Sequence, residues 1–78
     1  MNDYFDEWAA IENHKPIDAL QARMLNAIRV QTTEGKSTHT NYLMDITGLN
    51  WQQANNKLNG LVLRGLITKD GHNYKTKH

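Results

Sequence analysis

Apolar residues recur at helical spacing along most of the chain, beginning with an aromatic stretch near the N-terminus. Residues 3–14 place four large side chains at positions i, i+1, i+4 and i+7, which predicts one apolar face of an amphipathic helix. These side chains are Tyr4, Phe5, Trp8 and Ile11. We expect this helix either to pack on its own domain or to act as a dimerisation arm.

A second amphipathic helix is predicted from Pro16 to about Gln31. Proline suits the first turn of a helix, because its missing N–H would have no partner there. Asp18 then lies near the positive end of the helix dipole. The apolar positions of this helix are Ile17, Leu20, Met24, Leu25 and Ile28. Residues 32–36 are polar and predict a loop.

The middle of the chain predicts a very short strand followed by a short helix. Residues 37–39 are expected to pair with a later hairpin, and Thr38 or Thr40 to cap the helix that follows. Leu43 and Ile46 face the core from this helix. Gly48 ends it, as glycine does where the chain turns left-handed.

A further helix is predicted over residues 51–64, with Asn50 as its N-cap and Gly65 as its C-terminal stop. Its apolar positions are Trp51, Ala54, Leu58, Leu61 and Val62. The interior Gly60 costs roughly 1 kcal/mol relative to alanine, so it predicts either close packing or a bend. Leu63 falls outside the apolar stripe and predicts a contact with the N-terminal helix or with a second subunit.

The last element is a hairpin over residues 66–76, in which Asp70-Gly71 is a strong signal for a two-residue turn. The chain therefore divides into an N-terminal amphipathic helix over residues 1–15, one domain over residues 16–76 and a basic tail over residues 77–78.

Composition limits the possible classes of protein. A chain of 78 residues with 38% apolar residues forms one small domain with an economical core, which a dimer could complete. The absence of cysteine excludes disulfides and fits a cytoplasmic protein. Since no apolar run approaches the roughly 20 residues that span a bilayer, and the acidic start is unlike a signal peptide, we expect no membrane partner.

Charge is distributed unevenly along the chain, although the formal net charge is only +1. Residues 1–12 carry four acidic residues and no basic one, whereas residues 57–78 carry five basic residues and a single acidic one. A basic end is the usual electrostatic footprint of a nucleic-acid-binding protein. The alternative is that both ends are ordinary solvated surfaces.

One set of positions resembles a known family. These positions are Leu43, Thr47-Gly48-Leu49, Ala54, Leu58, Leu61 and Gly65-Leu66-Ile67. They resemble the winged-helix superfamily of small bacterial and phage regulators, such as the MarR-like and ArsR-like repressors. The resemblance implies a mainly α fold with a small β-hairpin (α+β), a winged helix-turn-helix with an extra N-terminal helix. It also implies a transcriptional regulator that binds double-stranded DNA.

In that family, exposed positions of the second helix of the helix-turn-helix contact bases, and the hairpin, or wing, contacts the DNA backbone. Carried over to this chain, the base-reading positions are Gln52, Gln53, Asn55, Asn56 and Asn59. The wing positions are Lys69, His72 and Lys75. Lys36, Lys57 and Lys77 are further candidates for phosphate contacts. Trp51 is expected to anchor the rim of the core, the alternative being a contact to sugar or to a thymine methyl group.

The five amides support this interpretation on chemical grounds. Asn and Gln match the N6/N7 edge of adenine with two hydrogen bonds, whereas a merely solvated helix face usually carries Glu, Lys and Arg. The same helix is poor in basic residues, and phosphate contacts normally supply much of the affinity for DNA. DNA binding therefore implies a homodimer or a partner protein.

No other chemistry is predicted. The histidines are scattered without metal-ligand spacing, and no glycine-rich phosphate loop is present. We therefore expect no catalytic residues, no metal and no cofactor, so the protein is not predicted to be an enzyme. The main alternative function is a winged-helix module that binds another protein through Tyr4, Phe5, Trp8 and Leu63.

Overall fold

The computed structural model describes residues 16–77, which form three helices and a three-stranded antiparallel sheet. This confirms the α+β class. The elements in order are α1 (Ala19–Thr33), β1 (Thr38–His39), α2 (Thr40–Thr47), α3 (Trp51–Leu63), β2 (Ile67–Asp70) and β3 (Asn73–Thr76). The helix predicted over residues 3–14 lies outside the described residues. Among the helices described here, none combines the length and apolar character needed to cross a membrane.

The sheet has the strand order β1-β3-β2. Thr38 lies opposite Tyr74, so the short strand predicted over residues 37–39 does pair with the hairpin. Asp70 pairs with Asn73, which makes Gly71 and His72 the two turn residues. The turn predicted at Asp70-Gly71 is therefore wrong by one position. Only the first turn residue, Gly71, has a positive φ (64°), which is the pattern of a type II′ turn.

Helix α1 begins three residues later than predicted. Asp18 is its N-cap, because the Gln21 backbone N–H donates to the Asp18 carboxylate at 2.7 Å and the Gln21 side chain accepts from the Asp18 N–H at 3.1 Å. This reciprocal capping box satisfies two of the N–H groups that a helix start leaves without partners. Pro16 consequently precedes the helix instead of lying in its first turn. At the other end, α1 continues to Thr33, past the predicted end at Gln31.

The cap of α2 was also predicted at the wrong residue. His39 fills this position, and its Nδ1 accepts a hydrogen bond of 3.0 Å from the Asn41 N–H. Thr38 and Thr40 are both buried instead. Gly48 ends α2 with a left-handed φ of 72°, as predicted.

Helix α3 begins as predicted, since Asn50 and Gln53 form a second capping box. The helix ends at Leu63, and Arg64 is its C-cap. Gly60 faces α1, where an added Cβ would come within 2.8 Å of the Gln21 Nε2 atom. Close packing of α1 against α3 therefore explains the interior glycine.

The core lies between the three helices and the inner face of the sheet. Its buried apolar residues are Met24, Leu25, Ile28, Leu43, Ala54, Leu58, Leu61, Ile67 and Tyr74. The Tyr74 hydroxyl is buried and forms no hydrogen bond within residues 16–77. The neighbouring Thr40 donates its own hydroxyl to the His72 carbonyl. Burial raises the pKa of Tyr74, and the nearby Thr40 hydroxyl offsets part of that rise.

Tyr74→Phe should raise the free energy of unfolding by about 1 kcal/mol, because it removes a buried polar atom that has no partner. In the wild type, the unfolded chain ionises this group at a lower pH than the folded chain does. The free energy of unfolding of the wild type therefore falls as the pH rises above about 10 toward the folded pKa. Urea unfolding of both proteins at pH 7 and pH 10.5 measures the two effects. A variant less stable than the wild type at pH 7 would show that the hydroxyl is hydrogen-bonded.

Candidate nucleic-acid interface

The outer face of α3 carries a stripe of side-chain amides. Gln52, Asn56 and Asn59 are spaced by four and three positions, so they lie on one side of the helix, opposite the buried Ala54 and Leu58. All three amides are exposed, and none forms a side-chain hydrogen bond to another residue in the range 16–77. We call these three residues the amide stripe. Each keeps one donor group and one acceptor oxygen available to a ligand.

The other two amides predicted to read bases are used within the helix. The Gln53 side chain accepts from the Asn50 N–H at 3.2 Å as part of the capping box. The Asn55 amide donates to the Trp51 carbonyl at 2.9 Å, and its side chain is half-buried. The structure thus separates the five predicted amides into three available ones and two that stabilise α3.

Leu63 continues the amide stripe one turn beyond Asn59, and it is 69% exposed. It is the most exposed of the large apolar side chains that the structure describes. Its predicted contact with the N-terminal helix, including Tyr4, Phe5 and Trp8, involves residues outside the described range. The outer face of α3 is therefore polar over two turns and apolar at its C-terminal end.

The basic residues differ in how available they are. Lys57 forms an ion pair of 2.5 Å with Asp18, which ties the middle of α3 to the start of α1. Lys36 lies 3.8 Å from Glu34, and both side chains are largely exposed. These contacts partly compensate the charge of two of the predicted phosphate partners.

Lys75 and Lys77 lie on the outer face of the sheet. Lys75 is opposite Thr68, and the Lys77 N–H extends the strand pairing by donating to the Leu66 carbonyl at 3.4 Å. Alternate residues of a strand share a face, so both lysines point away from the core. Lys69 pairs with Tyr74 on the opposite face and is exposed near the turn.

The hairpin turn contacts the N-terminal ends of two helices. The ring of His72 lies 5.1 Å from that of Trp51 in an edge-to-face arrangement, and 6.0 Å from that of His39. The His72 carbonyl accepts two hydrogen bonds from Thr40, one from the backbone N–H at 2.9 Å and one from the hydroxyl at 3.1 Å. His72 therefore holds the hairpin against α2 and α3, and its side chain is exposed, so its predicted phosphate contact stays a prediction.

Comparison with models of protein families, with curated proteins and with solved structures finds no match. The interpretation of this surface therefore depends on its geometry and chemistry.

Sequence reasoning missed two contacts of the site, the Lys57–Asp18 ion pair and the Trp51–His72 ring contact. Their members are separated by 39 and 21 positions, so no local pattern could have identified them. Within residues 16–77, no three His, Cys, Asp or Glu side chains are grouped so that they could hold a metal ion.

The ion pair predicts a defined pH dependence of stability. The hydrogen bond from Lys57, and then that from the Gln21 N–H, lower the pKa of Asp18. A carboxyl group whose pKa is lowered on folding stabilises the fold above its unfolded pKa of about 3.9, and this contribution is lost as the pH falls through the folded value. Asp18→Asn keeps a good N-cap but removes the charge. The wild type should therefore be slightly more stable than this variant at pH 6, and this advantage should be smaller at pH 2.5.

Urea unfolding at the two pH values measures this difference. The effect should be small, because both side chains are partly exposed to solvent. An advantage of the wild type that persists unchanged at pH 2.5 would show that the Lys57 interaction is not its source.

Proposed function

We propose that the protein is a sequence-specific DNA-binding protein of the winged-helix type, acting as a small transcriptional regulator. The observation that carries this proposal is the amide stripe on α3. The order of elements supports it, because α2, a glycine turn, α3 and a hairpin follow one another as in a winged helix-turn-helix. We propose no catalytic role and no cofactor.

The proposed mechanism places α3 in the major groove, which is wide enough to admit a helix. Each free amide can then donate to one atom of an adenine edge and accept from another, which discriminates against other bases by about 1–3 kcal/mol. Lys69, Lys75 and Lys77 would contact phosphates from the hairpin. These contacts position the protein on the duplex and do not read its sequence.

The length of the amide stripe indicates how much one subunit reads. Gln52 and Asn59 are seven residues apart, which is about 10 Å along a helix and therefore about three base-pair steps of 3.4 Å. Three base pairs are too few to specify one site in a genome, whereas two copies of the protein on neighbouring half-sites would double the number of base pairs that are read. We therefore propose that the protein binds DNA as a homodimer or together with a partner protein.

Fluorescence anisotropy with a mixed-sequence duplex at 50 and 200 mM salt tests the proposal, beside light scattering for the mass. Three phosphate contacts per subunit predict a loss of affinity of about 40-fold for a monomer between these concentrations, and about 10³-fold for a dimer. Lys75→Gln should reduce the slope against log salt by about 1 per subunit. Absence of binding at 50 mM, or binding that salt does not weaken, would contradict the proposal.

The exposure of Leu63 favours a second candidate, a module that binds another protein. An apolar side chain at the end of an exposed helix face is suited to a protein interface. The same titration separates the candidates, because an apolar interface lacks the steep salt dependence of phosphate contacts.

A further inference from the structure

Helices α1 and α2 leave an open groove between them, with a volume of about 350 Å³. Its lining includes Arg23, Ala27 and Val30 from α1, and Tyr42 and Ile46 from α2. Val30 is 48% exposed and Tyr42 is 47% exposed, so large apolar side chains on both walls face solvent. We call this surface the α1/α2 groove.

On α1, the groove follows the axis of the helix. Arg23, Ala27 and Val30 are spaced by four and three positions, so they form one stripe about 10 Å long. Arg23 is the only charged residue in the lining. One N–H of its guanidinium group donates to the Ile46 carbonyl at 3.2 Å. The remaining donors of an arginine are then available for a carboxylate.

We propose that residues 3–14 bind the α1/α2 groove of the same chain as an amphipathic helix antiparallel to α1. This inference goes beyond the proposed function, since it holds whether or not the protein binds DNA. It identifies the occupant from three properties that the sequence and the structure supply, namely apolar match, charge and reach.

The apolar match comes from the spacing of the N-terminal aromatic residues. Tyr4, Trp8 and Ile11 are spaced by four and three positions, the same spacing as the stripe on α1. Three large side chains along about 10 Å fit a groove in which α1 contributes the small Ala27 between two larger residues. Burying them against Val30 and Tyr42 removes apolar surface of both partners from water.

The charges are complementary. Residues 1–15 carry four acidic residues and one lysine, whereas the lining of the groove carries a single arginine and no acid. Glu12 follows Ile11 by one position and is the last of these four acidic residues before α1. In an antiparallel pair it falls within one helical turn of Arg23, and an arginine and a carboxylate can form two parallel hydrogen bonds.

The reach of the segment fits the same arrangement. Twelve helical residues extend about 18 Å, which is about the length of α1 from Ala19 to Gln31. Residues 15–18 would connect the two antiparallel helices, a length within the usual range for such a connection. This register sets Trp8 near Ala27 and Tyr4 near Val30.

Disulfide trapping tests the proposal in the full chain, which contains no cysteine of its own. Tyr4→Cys combined with Val30→Cys should form an intramolecular disulfide under mild oxidation at about 1 μM protein. Tyr4→Cys combined with Leu63→Cys is the matched control, since Leu63 is the more exposed apolar position. We expect the first pair to close at least tenfold faster, and the difference to vanish in urea.

Each other outcome overturns the proposal. Equal or faster closure of the Leu63 pair would place the segment beside α3, and closure of neither pair would exclude both surfaces. A segment of the same chain has an effective concentration near 1 mM, so it should outcompete a second copy that is present at about 1 μM. A covalent dimer of the Val30 pair would therefore show that the segment of a second copy occupies the groove. Trp8→Ala in the Val30 pair should slow closure, and circular dichroism of the reduced proteins checks that every variant is folded.

Discussion

Replacing Gln52, Asn56 and Asn59 together with alanine should abolish the preference of the protein among DNA sequences. Each amide that pairs with an adenine contributes about 1–3 kcal/mol of discrimination, which is roughly 5-fold to 150-fold in relative affinity. Affinity for mixed-sequence DNA should change much less, because the hairpin lysines supply it and are unaltered. A preferred site is first selected from a random duplex library. Competition against mixed-sequence DNA then measures the ratio of the affinities for the preferred site and for mixed DNA.

The triple substitution should not destabilise the fold, so the stability of the variant serves as a control. The three amides are exposed and unbonded within the described part of the chain, and alanine is the better helix former. The free energy of unfolding should therefore be unchanged or slightly higher. Asn26→Ala removes an exposed helix amide from α1 and should leave the sequence preference intact. A triple variant that keeps its preferred site would show that α3 does not read the bases.

Leu58→Ala should lower the free energy of unfolding by about 2–5 kcal/mol, while Leu63→Ala should change it by less than about 0.5 kcal/mol. Both residues are leucines of α3, five positions apart, but Leu58 is fully buried and Leu63 is 69% exposed. The first substitution leaves a cavity in the core, whereas the second removes surface that water already contacts. Urea unfolding followed by circular dichroism compares the two variants under identical conditions.

This pair of variants also tests the orientation of α3. A rotation of the helix that brought its outer face against the core would reverse the order of the two effects. Equal losses would instead indicate that Leu63 is covered by another part of the protein. For a chain of this size, a loss near 5 kcal/mol approaches the whole stability, so the experiment should begin at low temperature with the wild type as reference.

Local signals in the sequence were enough to predict the elements around the amide stripe. Asn50 and Gln53 cap α3 within four residues of each other, and Gly48 ends α2 through its own backbone conformation. Such interactions join residues that are close in the sequence, so a short sequence pattern is enough to predict them. The start of α1 was misjudged because two local signals compete there, and the capping box of Asp18 outweighs the preference of Pro16 for a first turn.

Features that depend on distant residues could not be predicted. The register of β2 with β3 places the turn at Gly71-His72, although Asp70-Gly71 is the stronger local signal. The ion pair of Lys57 forms across 39 positions, and it removes a residue from the set of free basic side chains. The five amides of α3 looked equivalent in the sequence, and only the bonds of Gln53 and Asn55 to their own helix separate them.

The attachment of the hairpin turn has a consequence for any ligand that contacts both the hairpin and α3. Thr40 holds the His72 carbonyl with two hydrogen bonds, and Trp51 packs on the His72 ring. These contacts tie the backbone of the hairpin turn to the two helices, which restrains its movement relative to the amide stripe. A ligand that spans both surfaces meets a preorganised site, so binding costs little conformational entropy. The same contacts would have to break for the protein to fit a ligand whose spacing differs.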